Sequence, residues 1–189
     1  MTTILAFGDS LTAGFGLPSG SSFADQLQQR LNHLQEDIRV VNAGISGDTT
    51  GGGLSRIDRA LEVDPDLVIL ELGANDAILG TLPERVRQNL EVMITRSLAV
   101  GAGVLLAGIE PPMAFTPGYR EIYAGMFKEL AERYGLTLYP DFLHGVLYQP
   151  ALTLPDGIHP NVNGVAAIVD NILPLVLQCL QNLRPSPGR

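Results

Sequence analysis

The sequence predicts an α/β domain built on a mostly parallel β-sheet with helices on both faces. Three observations point there. Short apolar runs alternate along the chain with stretches of helical period. Four of the five runs are nearly continuous in Ile, Leu and Val, as strands covered on both faces require. No long linker or internal repeat interrupts the alternation, and 189 residues suit one domain with a sizeable core, taken as 1–183.

The elements follow in order. Strands are expected at 3–7, 38–42, 67–72, 104–108 and, more weakly patterned, 136–139. In the first helix Phe23, Leu27, Leu31 and Leu34 repeat at three and four residues, with Ser22 and Asp25 placed as N-cap and N3 partner. Leu54, Ile57 and Leu61 mark the second helix. Val86, Leu90, Met93 and Leu98 mark the third, with Pro83 near its first turn. Ile122, Met126 and Leu130 mark the fourth, and 165–183 forms the last, kinked or restarted at Pro174. The tail 184–189, with Pro185, Pro187 and Gly188, reads as disordered.

Composition excludes several classes. Hydrophobic residues make up 46% and charged ones 17%, which is not a disordered chain. The formal charge is −8, and the basic residues (eleven Arg and Lys128) are scattered, so nucleic acid is not an expected partner. Cys179 alone makes neither an internal disulfide nor a cysteine zinc site. The longest apolar stretch, 97–109, is broken by Gly101 and Gly103 and stopped by Pro111, too short to span a bilayer. The N-terminus shows no basic-then-apolar export signal, and the cellular address is left open.

In a parallel sheet ligands bind beyond the carboxyl ends of the strands, which points to 8–16, 43–53, 73–80 and 109–118. The first strand runs into Gly8-Asp9-Ser10, placing a serine at that edge. A serine hydroxyl needs a base in hydrogen-bond reach to act as a nucleophile, although Asp9 and Ser10 could equally cap the next segment. Of three histidines, His33 lies on the polar side of a helix and His144 in a loop. His159 sits in Asp156-Gly157-Ile158-His159-Pro160, where an aspartate three residues before a histidine can accept its Nδ1 proton. The alternative is a turn into the last helix in which Asp and Pro only shape the backbone. Gly73-Ala74-Asn75-Asp76 offers a side-chain amide from a loop, and 42–49 offers glycine N–H groups, both suited to an oxyanion.

These residues resemble the SGNH, or GDSL, hydrolase family through all four of its sequence blocks, across nearly the whole chain. The likeness is to its small bacterial esterases with thioesterase, arylesterase and lysophospholipase activity. The resemblance implies a three-layer α/β/α sandwich with a five-stranded parallel sheet of flavodoxin-like kind. It implies Ser10 as nucleophile, His159 as base and Asp156 as its partner. The implied oxyanion donors are the N–H groups of Ser10 and Gly47 and the Asn75 amide; Gly44 is left a role in turn geometry. No cofactor or metal is implied, the expected partner is a small acyl ester, and the expected state is a monomer. Candidate acyl contacts are Ile78, Leu79, Met113, Phe115 and Ile158, each of which ordinary core packing would also explain.

Two departures bear on substrate. Ala74 stands where relatives often carry a second glycine. The segment 109–115, with Glu110, Pro111 and Pro112, is more rigid and acidic than a long acyl groove would need, which favours short to medium acyl esters. Glu71, inside an apolar strand, has no account from sequence. The rivals are an O-deacetylase using the same residues, a catalytically silent scaffold of this fold, and a nucleotide-binding domain prompted by Gly51-Gly52-Gly53. No G-x-S-x-G elbow, no G-x-x-x-x-G-K-[ST] and no strand-following G-x-G-x-x-G supports the α/β-hydrolase or nucleotide readings.

Overall fold

Five strands pair in the order β2-β1-β3-β4-β5, every pair parallel. The computed structural model describes residues 1–34, 37–111 and 114–183. Along the chain run β1 (Thr2–Gly8), α1 (Ser10–Ala13), α2 (Phe23–His33), β2 (Ile38–Gly44), α3 (Thr50–Leu61), β3 (Leu67–Glu71), α4 (Ala74–Ile78), α5 (Pro83–Ala99), β4 (Gly103–Ala107), α6 (Pro117–Tyr134), β5 (Thr137–Tyr139) and α7 (Val162–Leu183).

The expected strands and the five long helices form, with ends within a few residues. Two short helices, α1 and α4, were not separate expectations: four and five residues are too few to show a period. Asn75 therefore stands in the first turn of a helix rather than in a loop. The Ser22–Asp25 capping box forms in both directions, which fixes where α2 starts. The last helix does not restart; α7 is one helix through Pro174. The tail 184–189 lies outside the described residues.

The continuous apolar strands are buried on both faces. β3 shows no exposed residue, and Ile4 through Phe7 of β1 are wholly buried. Helices α2 and α7 pack together over one face, while α3, α5 and α6 cover the other. Phe7, Phe23, Tyr123, Phe127 and Phe142 are the largest fully buried side chains, and removing one typically costs about 3–5 kcal/mol. Helix α7 is long and apolar enough to span a membrane by length and composition alone. Its Val165, Ile168, Val169, Ile172 and Val176 lie in the hydrophobic core, which accounts for that apolarity.

The strand order positions the site. Chain progress reverses between β1 and β3, opening a crevice at their carboxyl ends. Register sets Gly8 opposite both Gly44 and Glu71, so the segments that leave β1, β2 and β3 emerge side by side.

Candidate active site

Ser10 begins α1 directly after β1, and the Asp9 Oδ1 atom accepts the Leu11 N–H at 2.9 Å as the helix N-cap. The capping reading of this turn is therefore correct for Asp9, and it leaves the Ser10 hydroxyl free. Ser10 Oγ lies 3.0 Å from His159 Nε2, and His159 Nδ1 lies 2.6 Å from Asp156 Oδ2. With its Nδ1 proton directed at the carboxylate, His159 presents Nε2 as an acceptor and Ser10 donates to it.

The loop before α7 is built to hold that geometry. Asp156 Oδ1 accepts the N–H groups of Ile158 at 2.9 Å and His159 at 3.0 Å, while Leu154 N–H donates to His159 O. Burial pushes the Asp156 carboxyl up, but these N–H groups and the His159 ring outweigh it and leave it below its ordinary value. Asn161 Oδ1 then accepts from the N–H groups of Asn163 and Gly164, starting α7. Both readings of this turn hold together: it shapes the helix start and orients an imidazole.

Asn75, in α4 just beyond β3, meets the turn that carries Ser10. Its Nδ2 atom donates to Asp9 Oδ2 at 3.1 Å and to Asp48 O at 2.8 Å. The next residue, Asp76, is buried and accepts from the N–H and hydroxyl of Thr50, pinning α4 to the start of α3. Gly47 has φ +82° with open space around it, so glycine is required there by backbone conformation rather than by crowding. Gly44 does not make a turn. It ends β2, and a Cβ on it would come within 2.3 Å of Ala13 N, so close approach of α1 is what requires glycine.

Glu71 gains its explanation here. It ends β3 fully buried, and its Oε2 atom accepts the Thr12 hydroxyl at 2.7 Å and, at 3.4 Å, the Asp9 N–H. Burial first, and the Asp9 charge second, push its carboxyl well above the usual range despite those bonds. Its Oε1 atom is buried without a hydrogen-bond partner among the described residues. Burial likewise lifts Asp9 from 3.8 to about 6, with the Leu11 N–H and His159 pulling the other way. Two carboxyls held in the acid's favour thus lie beneath the turn that carries Ser10.

Of the expected acyl contacts, Ile78 (57% exposed) ends α4, Leu79 (71%) follows as its C-cap, and Ile158 is exposed beside His159. Solvent exposure removes the core-packing explanation for these three. Phe115 stacks on Tyr119, next in an aromatic ladder to Tyr123, whose hydroxyl donates to Gly73 O. Met113 lies outside the described residues. His33 and His144 are exposed and away from these contacts. Phe15, which sequence reasoning missed, packs its half-exposed ring 4.6 Å from the His159 ring. Its signal in the sequence was an aromatic between two glycines, Gly14 and Gly16, just after the Ser10 block. A hollow of about 350 Å³ lined by Tyr148, Pro150, Leu154 and Gly157 adjoins the Asp156 loop.

Fold and side chains together define a serine-type acyl hydrolase: the chain belongs to the GDSL-like Lipase/Acylhydrolase family, whose model matches residues 6–167. Among its relatives, esterase TesA of Pseudomonas aeruginosa is 40% identical over 173 residues, covering 91% of this chain and 86% of that protein. An arylesterase of Vibrio mimicus is 38% identical over 158 residues, covering 83% and 79%. The crystal structure of TesA superposes with a TM-score of 0.90 at 38% identity, covering 97% of this chain and all of that one.

Proposed function

We propose that the chain hydrolyses carboxylic esters of short to medium acyl chains through an acyl-enzyme on Ser10. The observation that carries this reading is the continuous hydrogen-bond chain from Ser10 through His159 to Asp156 at the carboxyl edge of β1. His159 Nε2 takes the Ser10 proton as Oγ attacks the ester carbonyl, and Asp156 stabilises the imidazolium that forms. The N–H groups of Ser10 and Gly47 and the Asn75 amide receive the oxyanion. Both Asn75 amide hydrogens are engaged at rest, so one is shared between Asp9 and the nascent oxyanion as the intermediate forms. His159 returns its proton to the departing alcohol, then takes one from the attacking water and passes it to Ser10 Oγ as the bond between Oγ and the acyl carbon breaks and the acid leaves.

The substrate class is supported by the exposed apolar side chains Phe15, Ile78, Leu79 and Ile158 on the segments that carry the site, and by the names of the esterase relatives. A continuous hydrophobic cluster joins all five strands to α2, α3, α5, α6 and α7, which supports reading 1–183 as one unit. Mass spectrometry after reaction with an alkyl fluorophosphonate tests the nucleophile. A single adduct on the Ser10 peptide, absent in Ser10→Ala, is expected; an adduct elsewhere, or none, contradicts the assignment. A series of p-nitrophenyl esters tests the chain length, and activity confined to acetyl esters would favour the O-deacetylase.

A further inference from the structure

Arg56 lies in the middle of α3 and takes no part in the chemistry described above, yet its guanidinium reaches three parts of the catalytic edge. Nε donates to Asp48 Oδ2 at 2.7 Å, Nη1 to Ala43 O at 2.8 Å and Nη2 to Gly8 O at 2.9 Å. The guanidinium carbon stands 4.0 Å over the Phe7 ring, with the side chain only 19% exposed and that of Asp48 10%. These three acceptors belong to different segments. Gly8 O closes β1 two residues before Ser10, Ala43 O lies one residue before the end of β2, and Asp48 follows Gly47 in the loop between β2 and α3.

We propose that Arg56 is a positioning residue that sets the distance between the Ser10 turn and the loop bearing the Gly47 N–H and the Asp48 carbonyl. The inference rests on the oxyanion roles given above to Gly47 and Asn75. Asp48 is the relay. One carboxylate oxygen is held by Arg56, the other accepts Thr49 N–H, and its main-chain carbonyl accepts the Asn75 amide at 2.8 Å. Displacing Asp48 therefore moves both the neighbouring Gly47 N–H and the acceptor that aims Asn75. The backbone of α3 is shaped to let Asp48 in: a Cβ on Gly52 would lie 1.8 Å from Asp48 Oδ1. This explains the central glycine of Gly51-Gly52-Gly53 without a nucleotide. Lysine cannot replace the arginine, because one ammonium cannot address three acceptors spread around a planar fork.

A buried staple that only holds the fold would change stability and leave turnover per folded site alone. The test uses the full chain with active sites counted by fluorophosphonate titration and rates taken on p-nitrophenyl butyrate. Arg56→Met, which keeps an apolar stem over Phe7, is expected to lower kcat per titrated site about 10–100-fold with KM within about twofold, the scale of a misplaced oxyanion donor. Arg56→Lys does not restore the rate, whereas added guanidinium ion at millimolar concentration raises the kcat of Arg56→Ala. Asp48→Asn cuts the same link by a variant that keeps the arginine, and the double variant Arg56→Met, Asp48→Asn is expected to be no slower than the worse single one. Wild-type kcat in Arg56→Met or Asp48→Asn, a full rate with lysine, or losses that simply multiply in the double variant would each overturn the proposal. Failure of the underlying reading looks different: Asn75→Ala and Gly47→Ala would then keep the wild-type kcat.

Discussion

Asp9 makes the stability of this protein depend on pH in an unusual direction. Its side chain has no solvent exposure, and burial, reinforced by the charges of Asp48 and Asp76, lifts its carboxyl from 3.8 to about 6. In the unfolded chain it returns to 3.8. Between those values the native state therefore binds more protons than the unfolded state, and stability is lost as pH rises through the window. The interval is 6 − 3.8 = 2.2 pH units, and at about 1.4 kcal/mol each the loss from Asp9 is about 3 kcal/mol, most of it between pH 4 and 7. Glu71, whose carboxyl burial also raises above its ordinary value, acts in the same sense. Most carboxylates act oppositely, so the contribution must be isolated by difference. Urea unfolding of the wild type and Asp9→Asn across pH 4–8 does so. The amide variant keeps an acceptor for the Leu11 N–H but cannot ionise, so its stability relative to wild type should climb by about 2–3 kcal/mol over that range. Curves that stay parallel would refute the claim that Asp9 is buried and holds its proton more tightly in the native state.

Two further predictions concern the proposed oxyanion donors. Asn75→Ala should lower kcat about 10²–10³-fold, and because its Nδ2 atom bridges Asp9 and Asp48, steady-state kinetics should show the loss in kcat more than in KM. Gly47→Ala meets no atom within 4 Å, so its cost is the positive φ alone, about 1–2 kcal/mol of stability by urea titration, with a larger proportional fall in kcat because the N–H is re-aimed. Full activity in Gly47→Ala would remove that N–H from the reaction.

What the sequence disclosed was set by range. Continuous Ile/Leu/Val runs mark buried strands, and the Ser22–Asp25 box marks a helix start, because both signals are local. The Ser10 and Asn75 segments were legible as short polar blocks following strands, since sheet topology alone delivers those ends to one edge, and the His159 block was legible from an aspartate three residues before a histidine at the entry to the last helix. The supporting residues were not legible. Glu71 reads as a lone fault in an apolar strand until β1 is placed beside β3, bringing Thr12 and Asp9 to it from about sixty positions away. Arg56 reads as an ordinary polar-face residue of an amphipathic helix, and only the packing of α3 over Phe7 turns its fork toward Gly8 and Ala43. Gly44 reads as a turn residue because a close approach by Ala13 leaves no mark in the local pattern.

The measurement that bears most directly on the account is the initial rate on p-nitrophenyl butyrate for the wild type and Ser10→Ala, each shown to be folded by its unfolding midpoint. The account predicts turnover in the wild type and a fall of at least about 10³-fold in the variant with its stability retained. Equal turnover in the two proteins would contradict Ser10 as the nucleophile.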